Sequence, residues 1–106
     1  MTNRLQYLSQ LLESSPNDTF VLFALAKEHE NTGADEQALA FYRRLEATDS
    51  DYVGLYYHLG KLLERLKNPD EAIKTYKKGI ETSRRLQDRH AMSELQGALL
   101  EFEDPE

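Results

Sequence analysis

The chain repeats itself at an offset of 34 residues. When residues 19–52 are aligned with residues 53–86, large apolar side chains fall on large ones and small side chains on small ones. Six aligned positions are identical, where random pairing at average residue usage gives about two. The identical pairs are Leu25/Leu59, Lys27/Lys61, Glu30/Glu64, Ala38/Ala72, Tyr42/Tyr76 and Thr48/Thr82. A period of this length is typical of stacked structural units, none of which can bury its apolar face alone.

Apolar residues recur at steps of three and four throughout the chain, which predicts six amphipathic helices and no strands. Short polar breaks separate the predicted helices. At one of them, Asn68 is expected to cap a helix that begins at Pro69, with Glu71 reaching back to the backbone N–H of Asn68. Gly33 is expected to adopt a positive φ just past another helix. The break near Gln87 has neither glycine nor proline to mark it.

The repeated positions resemble those of the tetratricopeptide repeat (TPR) family, whose unit is a 34-residue pair of helices. The family's leucine, its most characteristic alanine and the aromatic residue that follows are all represented, by Leu25 and Leu59, Ala38 and Ala72, and Tyr42 and Tyr76. Ser50 and Arg84 stand where the family has proline. The resemblance implies an all-α solenoid of antiparallel helix pairs that forms a right-handed superhelix. It covers about residues 3 to 86.

We therefore expect one TPR-like domain over residues 1–106. Its expected parts are a half-repeat helix at 3–15, a first repeat at 19–52, a second repeat at 53–86 and a capping helix at 88–103. Such arrays need a terminal helix over their last apolar face.

The sequence disfavours catalysis and cofactor binding. It has no cysteine, which excludes disulfides and thiol chemistry. It also lacks a glycine-rich phosphate loop, a nucleophile elbow and a His-Glu-x-x-His motif. Its three histidines lie on different predicted helices, so a metal site is not expected. Because these motifs are missing, we expect that the protein is not an enzyme. The sequence has no apolar run long enough to span a bilayer and no signal-peptide core, so we expect a soluble cytoplasmic protein.

Family geometry implies a binding surface, because the first helix of each TPR pair lines the concave side of the superhelix. The first such helix offers Phe20, Phe23, Ala24, Lys27, Glu30 and Asn31, and the second offers Gly54, Tyr57, His58, Lys61, Glu64 and Arg65. All of these except Ala24 and Gly54 are expected to contact a peptide or protein partner. The aromatic residues are the strongest candidates, unless the terminal helices cover them. Lys27, Lys61 and Arg65 suit an acidic segment or a terminal carboxylate.

Two features of this surface remain open at the level of sequence. The repeated Lys27/Lys61 and Glu30/Glu64 pairs fit either a repeated binding chemistry or ordinary ion pairs between residues three apart. The carboxylate-clamp subgroup of the family, which binds the C-terminal tails of heat-shock chaperones, is not reproduced. That subgroup has lysine, asparagine and asparagine where this chain has Phe23, Lys27 and His58.

Two other functions compete with this adaptor or scaffold role. The aromatic residues suit a seam through which the chain forms a homodimer. A basic helix with Lys74, Lys77, Lys78, Arg84, Arg85 and Arg89 suits nucleic acid. The formal net charge of −6 disfavours nucleic acid, and the basic side chains are typical of the solvated face of an amphipathic helix.

Overall fold

The computed structural model describes residues 3–103, so residues 1–2 and 104–106, at the ends of the expected single domain, lie outside the described part. Between residues 3 and 103 the chain forms six α-helices and no β-strand, which confirms the all-α prediction. The helices are α1 (Asn3–Ser14), α2 (Thr19–Asn31), α3 (Asp35–Thr48), α4 (Gly54–Arg65), α5 (Pro69–Arg85) and α6 (Arg89–Glu103). None of these helices combines the length and apolar character that crossing a bilayer requires.

The chain divides into two compact units, called here unit 1 (residues 1–52) and unit 2 (residues 53–106). Unit 1 contains α1, α2 and α3, and unit 2 contains α4, α5 and α6. A single domain with a half-repeat, two repeats and a capping helix stays a prediction.

The core of unit 1 forms where α1 and α3 pack on α2. Leu8 of α1 is buried against Val21 and Leu25 of α2. On α3, Ala38 and Tyr42 are fully buried. An α1–α2 ion pair supplements this packing, as does a hydrogen bond from the Arg44 guanidinium on α3 to the backbone carbonyl of Pro16, 2.8 Å away.

Two glycines allow the helices of unit 2 to approach closely. A methyl group added at Gly60 on α4 would lie 2.2 Å from Cε1 of Tyr76 on α5. One added at Gly79 would lie 2.6 Å from Cβ of Tyr56. Because both distances are far below van der Waals contact, the missing Cβ atoms are what lets these helices pack at their observed separation.

Three helices, α2, α4 and α5, end in the same left-handed turn. The residue just past each helix has a positive φ of 81°, 65° and 60°, at Gly33, Lys67 and Gln87 respectively. In each case the next backbone N–H donates to a carbonyl five residues back, which is the Schellman closure. These bonds run from Ala34 to His29, from Asn68 to Leu63 and from Asp88 to Ser83. The prediction for Gly33 is confirmed, and the unmarked break at Gln87 has the same geometry without a glycine.

The expected capping box at Asn68 is wrong, although α5 does begin at Pro69. The side chain of Asn68 makes no capping hydrogen bond. Its backbone N–H, which Glu71 was expected to satisfy, instead donates to the carbonyl of Leu63 at 2.9 Å. This N–H is therefore already engaged in the hydrogen bond that ends α4. Side-chain caps are found at Asp18, which accepts from the Val21 N–H, and at Asp88, which accepts from the Ala91 N–H.

The positive φ at Lys67 leads to a test of the helix ends. Replacing Lys67 with glycine is expected to stabilise unit 2 by about 1 kcal/mol, because a side chain with a Cβ is strained in this region. Replacing Gly33 with alanine is expected to destabilise unit 1 by a similar amount, about 1 kcal/mol. Urea denaturation followed by circular dichroism measures both changes. Equal or opposite shifts would show that these turns are not strained in the chain in solution.

Candidate functional site

The predicted partner-binding residues form one stripe on α2 in unit 1 and one stripe on α4 in unit 2. These are the first helices of the pairs α2–α3 and α4–α5. The α2 stripe consists of Phe20, Phe23, Lys27, Glu30 and Asn31. The α4 stripe consists of Tyr57, His58, Lys61, Glu64 and Arg65. Within each stripe the spacing follows the helical period, so its members share one side of their helix. Phe23, Lys27 and Glu30 correspond in the repeat to Tyr57, Lys61 and Glu64, which gives both stripes an aromatic, a lysine and a glutamate in the same order.

A tyrosine from the second helix of each pair joins the glutamate of the stripe. The Tyr42 hydroxyl donates a hydrogen bond to Oε1 of Glu30 at 2.7 Å. The Tyr76 hydroxyl donates to Oε2 of Glu64 in the same way. Burial, followed by the hydrogen bond to Glu64, raises the pKa of Tyr76 well above its ordinary value. Because both tyrosines are fully buried, each glutamate joins the core to the outer side of its helix.

The lysine of each stripe pairs with the same glutamate. The Lys27 Nζ lies 3.6 Å from Oε1 of Glu30, and the Lys61 Nζ lies 3.9 Å from Oε2 of Glu64. Ion pairs between residues three apart are therefore present, as one of the two sequence interpretations requires. An acidic ligand on either lysine would compete with these glutamates. A role for the repeated pairs in binding stays a prediction.

The aromatic residues of the α2 stripe differ in exposure. Phe20 is 67% exposed. Phe23 is half-buried, with its ring centroid 6.2 Å from that of Tyr42 and 5.5 Å from that of Tyr52. Ala24 was expected on the open face, but this is wrong, because α1 packs over it and buries it in the core of unit 1. Phe20 is therefore the most open aromatic residue of this stripe, and Phe23 is only partly exposed.

The α4 stripe lies beside α6. Tyr57 and His58 are both half-buried, and their rings meet edge to face at 5.7 Å. The Lys61 Nζ lies 5.6 Å from the Tyr57 ring centroid and 3.6 Å from Oε1 of Glu101 on α6. The terminal helix thus reaches the stripe at Lys61 without burying Tyr57. At the far ends of the two stripes, Asn31 and Arg65 are exposed.

The basic residues of α5 have acidic and aromatic neighbours on the same unit. The Lys74 Nζ lies 3.8 Å from a Glu71 oxygen, and an Arg84 nitrogen lies 3.2 Å from a Glu81 oxygen. The Lys78 Nζ lies 6.0 Å from the Tyr56 ring centroid. These contacts are those of a solvated helix face whose cations are partly compensated. Nucleic-acid binding through these basic residues stays a prediction.

The histidines lie apart from one another. His29 stacks on Phe41 with ring centroids 5.4 Å apart, His58 contacts Tyr57, and His90 is exposed on α6. In the part of the chain that the structure describes, no group of three or more His, Cys, Asp or Glu side chains is arranged to hold a metal ion.

Tyr52 is the residue near the site that the sequence did not indicate. Its ring packs on Phe23, and burial together with the Asp18 carboxylate raises the pKa of its hydroxyl. Its repeat equivalent is Leu86, so no repeated aromatic points to it. The signal that was available is its position directly after the polar break that ends with Asp51.

Six helices arranged as helix pairs, with the same tyrosine–glutamate contact at the same place in two successive pairs, define an α-helical repeat protein. Residues 53–85 match the family model described as tetratricopeptide repeat. None of the curated proteins compared matches the chain.

Solved structures show the same fold. A crystal structure of a tetratricopeptide repeat domain protein from Salinibacter ruber is 49% identical, and the match covers 84% of this chain and 99% of that chain with a TM-score of 0.78. A solution NMR structure of such a protein from Salinibacter ruber is also 49% identical, covering 87% and 93% with a TM-score of 0.81. A Bordetella parapertussis protein shares the fold at 22% identity, covering 93% and 86% with a TM-score of 0.80.

The chain belongs to the tetratricopeptide repeat family. Domains of this family are generally protein-interaction modules.

Proposed function

We propose that this protein is a non-enzymatic adaptor that binds a peptide or protein surface through the α2 and α4 stripes. The observation that carries the proposal is Phe20, a large aromatic that is 67% exposed on the helix that the family resemblance assigns to ligand binding. An exposed phenylalanine supplies contact area at little cost in rotamer entropy, and such residues are typical of binding hot spots.

The second support is the contact network under each stripe. Lys27, Glu30 and Tyr42 hold one another in unit 1, as Lys61, Glu64 and Tyr76 do in unit 2. Polar groups whose positions are held by such contacts lose less freedom when a partner binds, and preorganisation of this kind favours affinity. With one stripe per unit the contact area stays below that of a standard interface, so we expect modest affinities.

A selection from a random peptide library on immobilised protein tests this proposal. Replacing Phe20 with alanine is expected to weaken the selected peptides by about tenfold, which corresponds to the loss of a hot-spot contact of about 1.4 kcal/mol. The measurement is a titration of labelled peptide with each variant, followed by fluorescence anisotropy. The matched control is Tyr7→Ala, because Tyr7 is a comparably exposed aromatic, at 61%, on α1.

Peptides that lose affinity with Tyr7→Ala but not with Phe20→Ala would contradict the proposal. Sedimentation over a concentration series separates it from self-association through the same aromatics. A monomer at all concentrations is expected for the adaptor, whereas a tight dimer that Phe20→Ala dissociates would establish the homodimer instead.

A further inference from the structure

One end of unit 1 combines exposed aromatic area with acidic side chains. The chain turns sharply after α3, where the Tyr52 N–H donates to the carbonyl of Asp49 at 3.0 Å. This turn brings the Tyr52 ring onto Phe23, with 5.5 Å between their centroids. Phe20 lies one helical turn before Phe23 on the same side of α2. We call Phe20, Phe23 and Tyr52 the aromatic platform.

Three aspartates lie close in sequence to the residues of the aromatic platform. Asp18 caps the N-terminus of α2, two residues before Phe20, and after burial its charge is the second cause that raises the pKa of Tyr52. Asp49 and Asp51 are both exposed on the turn that carries Tyr52. The Asp49 Oδ1 accepts from the Asp51 N–H at 3.0 Å, which fixes the turn.

The net charge of unit 1 has the same sign as these aspartates. Residues 1–52 contain four basic and nine acidic side chains, a net charge of −5. Each basic side chain contacts another group of unit 1. Arg4, Lys27 and Arg43 contact Glu28, Glu30 and Glu46, and Arg44 contacts the Pro16 carbonyl. Unit 1 therefore carries a net negative charge, which attracts cations and repels carboxylates and phosphates.

We propose that the aromatic platform and its three aspartates bind a basic segment of a protein partner, with an arginine or lysine side chain over the exposed ring of Phe20. This inference rests on the proposed function and specifies the partner class for unit 1. A cation over an aromatic face is attracted by the ring quadrupole, and adjacent carboxylates add charge-assisted hydrogen bonds. An acidic ligand fits this end poorly, because Lys27 is paired with Glu30 and unit 1 carries a net negative charge.

The probe is a short glycine–serine peptide with repeated arginines, compared with the same peptide carrying glutamates. Each is titrated into the full, isotope-labelled chain and followed by NMR. We expect the arginine peptide to shift the amides of Phe20, Phe23 and Tyr52, and the glutamate peptide to leave them unchanged.

Two variants and one control show which side chains contribute to the affinity for the arginine peptide. Phe20→Ala is expected to weaken the arginine peptide by about threefold to tenfold through loss of the cation–π contact. Asp49→Asn with Asp51→Asn is expected to weaken it by a similar factor, about threefold to tenfold, while amide oxygens keep the turn. The control, Glu13→Gln with Glu36→Gln, removes two exposed charges elsewhere on unit 1 and is expected to have little effect.

Several outcomes would overturn the inference. Equal weakening by the control would mean diffuse attraction to the whole unit, and absence of binding, or shifts away from the platform, would exclude the site. Shifts of the same amides by the glutamate peptide would reverse the assigned charge of the partner while keeping the proposed function. The proposed function is tested by a separate measurement, the sensitivity of library-selected peptides to Phe20→Ala.

Discussion

Replacing Gly60 with alanine is expected to destabilise unit 2 by about 3 kcal/mol, the upper part of the range for overpacking a buried site. The new methyl group would lie 2.2, 2.6 and 2.7 Å from three atoms of the Tyr76 ring. That ring has little room to move, because it is fully buried and its hydroxyl donates a hydrogen bond to Glu64. The ring of Phe102 also packs near it, with 6.3 Å between the two ring centroids. Urea denaturation followed by circular dichroism measures the loss.

Gly97 provides the matched control, since it too lies inside a helix but has no atom within 4 Å of an added Cβ. Gly97→Ala is expected to stabilise the unit by about 0.5–1 kcal/mol, because alanine restricts the unfolded chain and favours helix. Opposite signs for the same chemical change are the expected result. If Gly60→Ala were as harmless as Gly97→Ala, the close approach of α4 and α5 would be wrong.

Removing the hydroxyl of Tyr42 or Tyr76 is expected to have the second large effect on stability. Tyr42→Phe and Tyr76→Phe are each expected to cost about 2 kcal/mol, because each removes a hydrogen bond to a charged carboxylate. In both cases a glutamate that remains partly buried loses one of its partners. Tyr7→Phe is the control, because Tyr7 is 61% exposed.

Alkaline pH provides an independent test of the Tyr76 contact. In the unfolded chain the hydroxyl ionises near its ordinary pKa of 10.0, whereas burial and Glu64 raise its pKa in the folded protein. The unfolded state therefore loses this proton first, so stability is fully present below pH 10 and falls as the pH rises above it. Tyr76→Phe is expected to lose less stability between pH 9 and about 11 than the wild type. Identical alkaline slopes would show that Tyr76 is not buried against Glu64.

The 34-residue repeat predicted that equivalent positions carry side chains of similar size. Ala38 and Ala72 are both fully buried, and Tyr42 and Tyr76 each donate to a glutamate twelve residues earlier. This succeeded because close packing restricts the size of a side chain at every repeat, so size recurs with the period. The sequence could not show that alanine is too large at position 60, because unit 1 buries an alanine, Ala26, at the equivalent position.

The helix ends and the platform were harder to predict for different reasons. Lys67 and Gln87 adopt a left-handed conformation that neither residue favours, and only the surrounding hydrogen bonds select it. Tyr52 joins Phe23 through a turn that has no counterpart in unit 2. A contact made once, by a residue whose repeat equivalent is the non-aromatic Leu86, leaves no periodic signal.

NMR mapping of a library-selected peptide on the isotope-labelled chain tests the central claim most directly, since it shows which helix faces meet a partner. We expect the shifted amides to lie in the two stripes, centred on Phe20 and Phe23 of α2 and on Tyr57 and Lys61 of α4. Shifts confined to the outer faces of α1, α3 or α5, with both stripes unchanged, would contradict it.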